Sequence, residues 1–554
     1  MNRTISILSA LLIATASVAQ TLSGDTINRT VLVESTYNPI VVSAVKRNFI
    51  PDEVEPSMNR AAIVYADKAM PIARLQRTAL PVEKVGVAQS NNTPGYLHLG
   101  YGGYNDLDAL AAYRFQFNEN NTLMLKVDAD GWAGWYDKIT SRDDDEDWYS
   151  YLYRGNLDAR YRLNYGSGEL GVGLLGGYST FNYLDIPLYR PSYRPSIKEP
   201  DTNQQAERLS GNFYVKGTIN ERFRYDADAT YTYSAQQNYL GEHALNSENH
   251  LHTQAAFGAD FGKYGVAILN LKNDLMTYSL DDFEAMNYIT VTPEWSVAYK
   301  QFRFATGVNL DFSNQAYARF KASPSCSINY TSKNNFDATL LLDGGHQLPT
   351  YSYLESLSPY WVRTAELRSS YTYLNALLSG NVRLFEGFHL HVNGGYRIIG
   401  SALFETAVDM DNIRYTGFAN RDAHLAHATT KLSYNYKQQF SCFTQATYNH
   451  WMVEGERDIL ARAPQLDAQA GVKAHIFGGL SAHSNFRYVL FTATDSELQR
   501  ETSIIDWNLG LQYALNNHWS FYLDGHNLLN HQHQLYTGYP TQGISAMAGA
   551  AFKF

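Results

Sequence analysis

Two cysteines, Cys326 and Cys442, are all that the 554 residues contain, so no disulfide framework holds this chain together. They admit one bridge in an oxidising compartment, or two buried thiols. Beyond the first nineteen residues there is no long apolar run, and the mean hydropathy of -0.34 excludes membrane-spanning helices. Proline is sparse at 16 residues, and a net charge of -10 argues against a nucleic-acid partner. Glycine-rich phosphate loops, Gly-x-Ser-x-Gly elbows and Cys–His pairings are also missing, so the chain reads as a non-enzyme without a cofactor. Of the 16 histidines, His346, His450, the pair His389 and His391, and the run His526, His531 and His533 stand out. His389 and His391 fall on one face of a strand, a spacing that two metal ligands can use, but no carboxylate accompanies them. No metal site is assigned on that basis.

What is present is aromatic and small. Tyrosine reaches 42 residues, aromatics 14% and glycine 39, a composition that suits many strands with small or aromatic outward faces. At the N-terminus, Arg3 precedes an apolar run from Ile5 to Val18, and Ser17-Val18-Ala19 offers small side chains for cleavage. That order is a secretory signal, with cleavage expected after Ala19. Residues 20–94 are read as a periplasmic or lumenal segment without sustained periodicity.

From Gly95 onward the chain repeats a rhythm of strand, tight turn, strand and longer polar loop. Ten tight turns are marked by Asn118–Asn121, Gly166–Gly168, Asn220–Arg222, Gly262–Gly265, Tyr299–Gln301, Ser332–Asn335, Phe385–Gly387, Lys437–Gln439, Phe477–Gly479 and Asn516–His518. Gly and Asn suit them because hairpin turns demand positive φ. Between turns the alternation is clean. Tyr151, Tyr153, Leu157, Ala159, Tyr161 and Leu163 oppose Arg154, Asn156, Asp158, Arg160 and Arg162. A period of two sustained over ten or more residues fits a strand crossing the ~25 Å apolar band of an outer-membrane barrel. Ten turns join twenty strands, and the first and last strands bring the count to about 22. Connections such as 140–147, 185–207, 240–249, 350–363 and 407–422 are then outer loops, and both termini lie in the periplasm. The fold class is all-β, a transmembrane antiparallel barrel over residues 95–554.

The closing residues carry a resemblance. Trp519-Ser520-Phe521-Tyr522-Leu523-Asp524-Gly525-His526-Asn527-Leu528-Leu529-Asn530, then Gly538-Tyr539-Pro540 and a last strand with Phe552 and Phe554, resemble the ending of TonB-dependent receptors. In that family the terminal aromatic residues signal barrel assembly, which implies the assembly machinery, outer-membrane lipids and lipopolysaccharide as partners. The receptors carry a plug of well over a hundred residues, whereas residues 20–94 show no such signature; Tyr37-Asn38-Pro39 with Pro51-Asp52-Glu53-Val54-Glu55-Pro56 resembles short, plugless receptor relatives from Bacteroidota. Ile40, Val41, Val42, Ser43 and Ala44 are comparable with the box that contacts the energy-coupling protein. A barrel of this width is kept filled in nature. The expected fillers are residues 20–94, inward-turned loops or another protein. The expected role is an accessory or scaffold barrel in an outer-membrane complex with lipoprotein partners, such as assembly or export machinery. The alternative is a transporter or channel for a small solute.

Overall fold

In the computed structural model, residues 94–554 are described, apart from 138–146, 186–202, 238–244, 280–282, 333–335, 363–366, 411–412, 461–462, 493–502, 537–538 and the single positions 221, 438, 454, 456 and 532. The signal segment, residues 20–93 and the candidate coupling box at Ile40–Ala44 lie outside the described residues. Strands β1 (Gly95–Gly102), β2 (Leu107–Gln116), β3 (Asn121–Asp137), β4 (Asp147–Tyr165), β5 (Gly168–Asn182), β6 (Asn203–Thr218) and β7 (Phe223–Gln237) open the barrel. They continue as β8 (Leu245–Asp260), β9 (Val266–Tyr278), β10 (Met286–Tyr299) and β11 (Phe302–Ser313). β12 runs as Phe320–Pro324 and resumes as Cys326–Thr331, followed by β13 (Phe336–Gln347), β14 (Ser370–Phe385), β15 (Phe388–Met410) and β16 (Ile413–Tyr436). The set ends with β17 (Phe440–Val453), β18 (Pro464–Phe477), β19 (Leu480–Phe491), β20 (Ser503–Ala514), β21 (Trp519–His526) and β22 (Ser545–Lys553).

Each strand pairs antiparallel with its neighbours, and β1 closes the ring against β22 from Tyr96↔Lys553 to Gly102↔Met547. The barrel has 22 strands. All ten expected turns join adjacent strands, and three use one device. Asn118, Asn220 and Asn516 each accept backbone N–H bonds two and three residues on, at 2.8–2.9 Å. Lys300 and Lys437 take positive φ, at 55° and 51°, where the hairpin geometry requires it.

Alternation sorts the wall. Val127, Leu157 and Leu209 are 50%, 42% and 52% exposed on the outer face, as an apolar band facing lipid requires. Aromatic rings gather near the short turns: Phe302 meets Tyr330 at 4.9 Å, Phe385 meets Phe388 at 4.6 Å, and Trp519 meets Phe552 at 4.6 Å. Trp135 and Tyr149, 5.3 Å apart, mark the opposite rim. These girdles account for much of the aromatic content. Phe554 sits at the seam, exchanging backbone bonds with Gly95 at 2.9 and 3.1 Å. Cys326 and Cys442 stand on β12 and β17 and do not form a disulfide.

The seam is tightly built. The Tyr522 ring lies where side chains at Gly100 and Gly549 would stand, within about 2.0 and 2.1 Å of a Cβ at either position. It stacks on His98 at 4.8 Å and bonds its Nε2 at 2.8 Å. Gly549→Val should evict the ring and cost about 1–3 kcal/mol by overpacking. The temperature of the heat-dependent mobility shift on gels should fall; an unchanged value would show the seam tolerates the added volume.

Candidate functional site

At its long-loop end the chain folds into its own lumen. β15 and β16 run far past the barrel rim, so residues 407–422, expected as an open loop, are mostly a strand hairpin. The hairpin carries a bulge: register shifts between Ile399 and Ala402, with Ser401 at φ 54°. Asp422 accepts the Ser401 N–H at 2.8 Å, while Ser370 Oγ and Asn420 Nδ2 donate to the Ser401 carbonyl, each at 2.8 Å. A bulge bends a hairpin, and here the tip reaches Leu184–Asp185 just beyond β5, pairing Ile413↔Asp185 and Arg414↔Leu184. β5 and β16 are eleven positions apart in a ring of 22, so this hairpin is a strap across the mouth.

Two loops fill the space beside it. The β13–β14 connection carries α1 (Tyr351–Leu357), capped by the Thr350 side chain, which accepts from the Tyr353 N–H. Glu248 on the wall accepts the Tyr351 N–H at 3.0 Å, and the Tyr351 hydroxyl donates to Asn246 at 2.6 Å. Val362 and Thr416 tie this loop to the strap through N–H bonds of 2.9 Å. The β21–β22 connection brings Tyr536 and Tyr539. Tyr539 stacks on Tyr360 at 3.6 Å, with Tyr536 and Phe181 edge-on at 5.5 and 5.7 Å. The result is an apolar core inside the barrel: Leu152, Phe181, Tyr183, Leu184, Tyr360, Val362 and Tyr415 are all buried. Burial pushes the Tyr536 hydroxyl up to about 12 and raises those of Tyr360 and Tyr539 well above the ordinary phenol range. A raised phenol contributes stability up to its unfolded value near 10 and loses it above, so these groups leave the cap indifferent to pH through the neutral range.

Elsewhere the lumen wall is charged and largely self-paired. Arg154 meets Asp130 at 2.9 Å, Arg160 meets Asp158 at 2.8 Å, and Lys126 meets Asp128 at 3.2 Å. Arg208, by contrast, reaches Glu355 of α1 at 3.3 Å. The inward charges thus bind one another and a folded-in loop.

Beneath α1 lies a polar cluster. His250 and His252 project inward from β8, and Asp274 from β9 faces both, with Oδ1 at 2.9 Å from His250 Nε2 and 2.7 Å from His252 Nδ1. His346 on β13 brings Nε2 to 3.7 Å from Asp274 Oδ2 and Nδ1 to 3.3 Å from Asp311 Oδ1. Asp311 accepts from Thr290 and, at 2.8 Å, from the Tyr371 hydroxyl. Tyr288 stacks on His346 at 4.8 Å. The two carboxylates are 7% and 4% exposed, so the acceptor end of these contacts is held away from bulk water.

No protein-family profile matches the sequence, and no curated protein does. Solved structures do match. The copper transporter OprC aligns with a TM-score of 0.61 at 13% identity, over 83% of this chain and 82% of OprC. The FrpB iron transporter from Neisseria meningitidis aligns at 0.63 and 11%, over 83% and 81%. The siderophore receptor PirA from Acinetobacter baumannii aligns at 0.60 and 10%, over 83% and 80%. The chain has the barrel fold of the TonB-dependent receptors.

Within this receptor-like barrel the histidines singled out from sequence scatter. His391 bonds Asn381 at 2.7 Å and Asn393 at 3.2 Å. His531 and His533 stack at 5.9 Å inside the β21–β22 loop. Phe552 and Phe554 hold the seam, their rings 5.6 Å apart. Only His346 enters the cluster. The i, i+2 pair His250 and His252 has the same spacing as His389 and His391, and its carboxylate lies on the next strand, out of reach of any local pattern.

Proposed function

We propose that this chain is an outer-membrane transporter for a small polar solute, gated by the strap and the two loops folded beneath it. The observation that carries the reading is the strap itself. A barrel serving only as a docking surface has no use for a hairpin bent across its mouth over a polar lumen. The accessory role expected from the sequence draws no comparable support. The named neighbours carry copper, iron or siderophores, which makes a metal ion or a metal chelate the substrate class to try first. The short-turn end, with Gly95 and Phe554, faces the periplasm in this reading.

Locking the strap tests it. Leu184 and Arg414 are direct antiparallel partners, a placement that brings Cβ atoms to about 5 Å. Leu184→Cys with Arg414→Cys, in a background of Cys326→Ser and Cys442→Ser, should form a bridge that stops cellular accumulation of radiolabelled metals and chelates. A membrane-permeant reductant should restore it. Equal accumulation by the locked, reduced and deletion strains across the panel would remove the transporter reading.

A further inference from the structure

We infer that His250, His252, Asp274 and His346 form a binding site for one divalent first-row transition-metal ion, with Asp311 orienting His346 from behind. The donor types are right: imidazole and carboxylate together suit ions such as Zn²⁺, Co²⁺, Ni²⁺ or Cu²⁺ rather than Ca²⁺ or Mg²⁺. The placement is right as well. One ligand atom each from His250, His252 and Asp274 lies within 4.8 Å of the others, on adjacent rigid strands held in register from Lys272↔Gln254 to Met276↔His250. Two ligands of a tetrahedral ion at ~2.1 Å stand ~3.4 Å apart. The His–Asp contacts of 2.7 and 2.9 Å therefore need to open by about 0.7 and about 0.5 Å, a side-chain rotation.

The surroundings resemble those of metal-ligating histidines generally, which pass their second ring nitrogen to a carboxylate or carbonyl. His346 does so with Nδ1 toward Asp311, leaving Nε2 aimed at Asp274 as the fourth donor. Asp311 is itself fixed by Thr290 and Tyr371. Charge agrees too. With neutral imidazoles, Asp274 and Asp311 bring two negative charges into a buried region, while Asp228 and Lys272, which also face His252, offset each other. One dication balances the pair. Binding exchanges the ion's waters for protein donors, and each imidazole keeps one N–H by shifting it to the ring nitrogen that does not ligate. The Oδ1 of Asp274, relieved of two hydrogen bonds, takes the ion instead.

The site deepens the transporter reading by naming a cargo class, yet it is tested without transport. The tagless full-length chain in detergent is titrated with Co²⁺ and then with Zn²⁺. One equivalent of Co²⁺ should give visible ligand-field bands of a four-coordinate site, bleached by one equivalent of Zn²⁺. His250→Ala with His252→Ala should abolish the bands. Asp311→Asn should weaken binding about 10- to 100-fold, the usual effect of losing an outer-shell partner, and His389→Ala with His391→Ala should change nothing. Bands of equal strength in the His250/His252 variant, or in an Asp274→Asn variant that still shows heat-dependent mobility, would overturn the assignment. Loss in the His389/His391 control would overturn it equally. Binding in detergent without flux in liposomes keeps the site and removes transport as its purpose; flux without binding does the reverse.

Discussion

Tyr360→Ala should release the mouth of the barrel while leaving the barrel intact. Tyr360 is 1% exposed and is the ring on which Tyr539, Tyr536 and Phe181 converge. It joins the β13–β14 loop, the β21–β22 loop and the wall. Truncating a buried aromatic of this kind costs about 3–5 kcal/mol. A docked loop has far less cooperative support than a closed sheet, so the loss falls on the cap rather than the ring. The expected result is rapid proteolysis within residues 348–369 and higher conductance in planar bilayers, with heat-dependent mobility unchanged. Tyr360→Phe keeps the stack and should stay within about 1 kcal/mol of the parent. If both variants resist protease as the parent does, the stack is not what holds the loop down.

That effect also shows where sequence reasoning stopped. The wall was legible because it is local: a period of two fixes which side of a strand faces lipid, and Asn or Gly marks each short turn. Ten turns suffice to count the strands and to place Phe554 at the end of the last one. The cap was not legible, because its contacts join Tyr183, Tyr360, Tyr415 and Tyr539, which belong to four separate stretches of chain. Proline and charge made 350–363 look like an exposed connection, yet Tyr351, Leu354, Leu357 and Trp361 are buried. The strap was misread for a related reason. Residues 407–422 lack a lipid-facing alternation because they leave the membrane wall, so a rule tuned to that wall reports a loop where the backbone is still paired. The metal cluster draws on β8, β9, β11 and β13, which the folded register brings onto one stretch of the inner wall.

Asp311 links the cluster to the stability of the wall, and its removal should have the largest single effect on the barrel. Three donors depend on this carboxylate: the Thr290 hydroxyl, the Tyr371 hydroxyl at 2.8 Å and His346 Nδ1 at 3.3 Å. Asp311→Ala leaves all three buried without an acceptor, and each such loss costs about 1–3 kcal/mol. Relaxation and water entry recover part of that, so a net loss of roughly 3–5 kcal/mol is expected, read as a lower urea midpoint with an unchanged slope. Asp311→Asn retains a carbonyl oxygen for the hydroxyls but turns an amide toward one of the three donors, and should fall about midway. The two variants also separate structure from binding. A stable Asp311→Asn protein with weakened Co²⁺ affinity assigns the residue to positioning His346. A midpoint that moves in neither variant would show that water satisfies these donors as well as the carboxylate does.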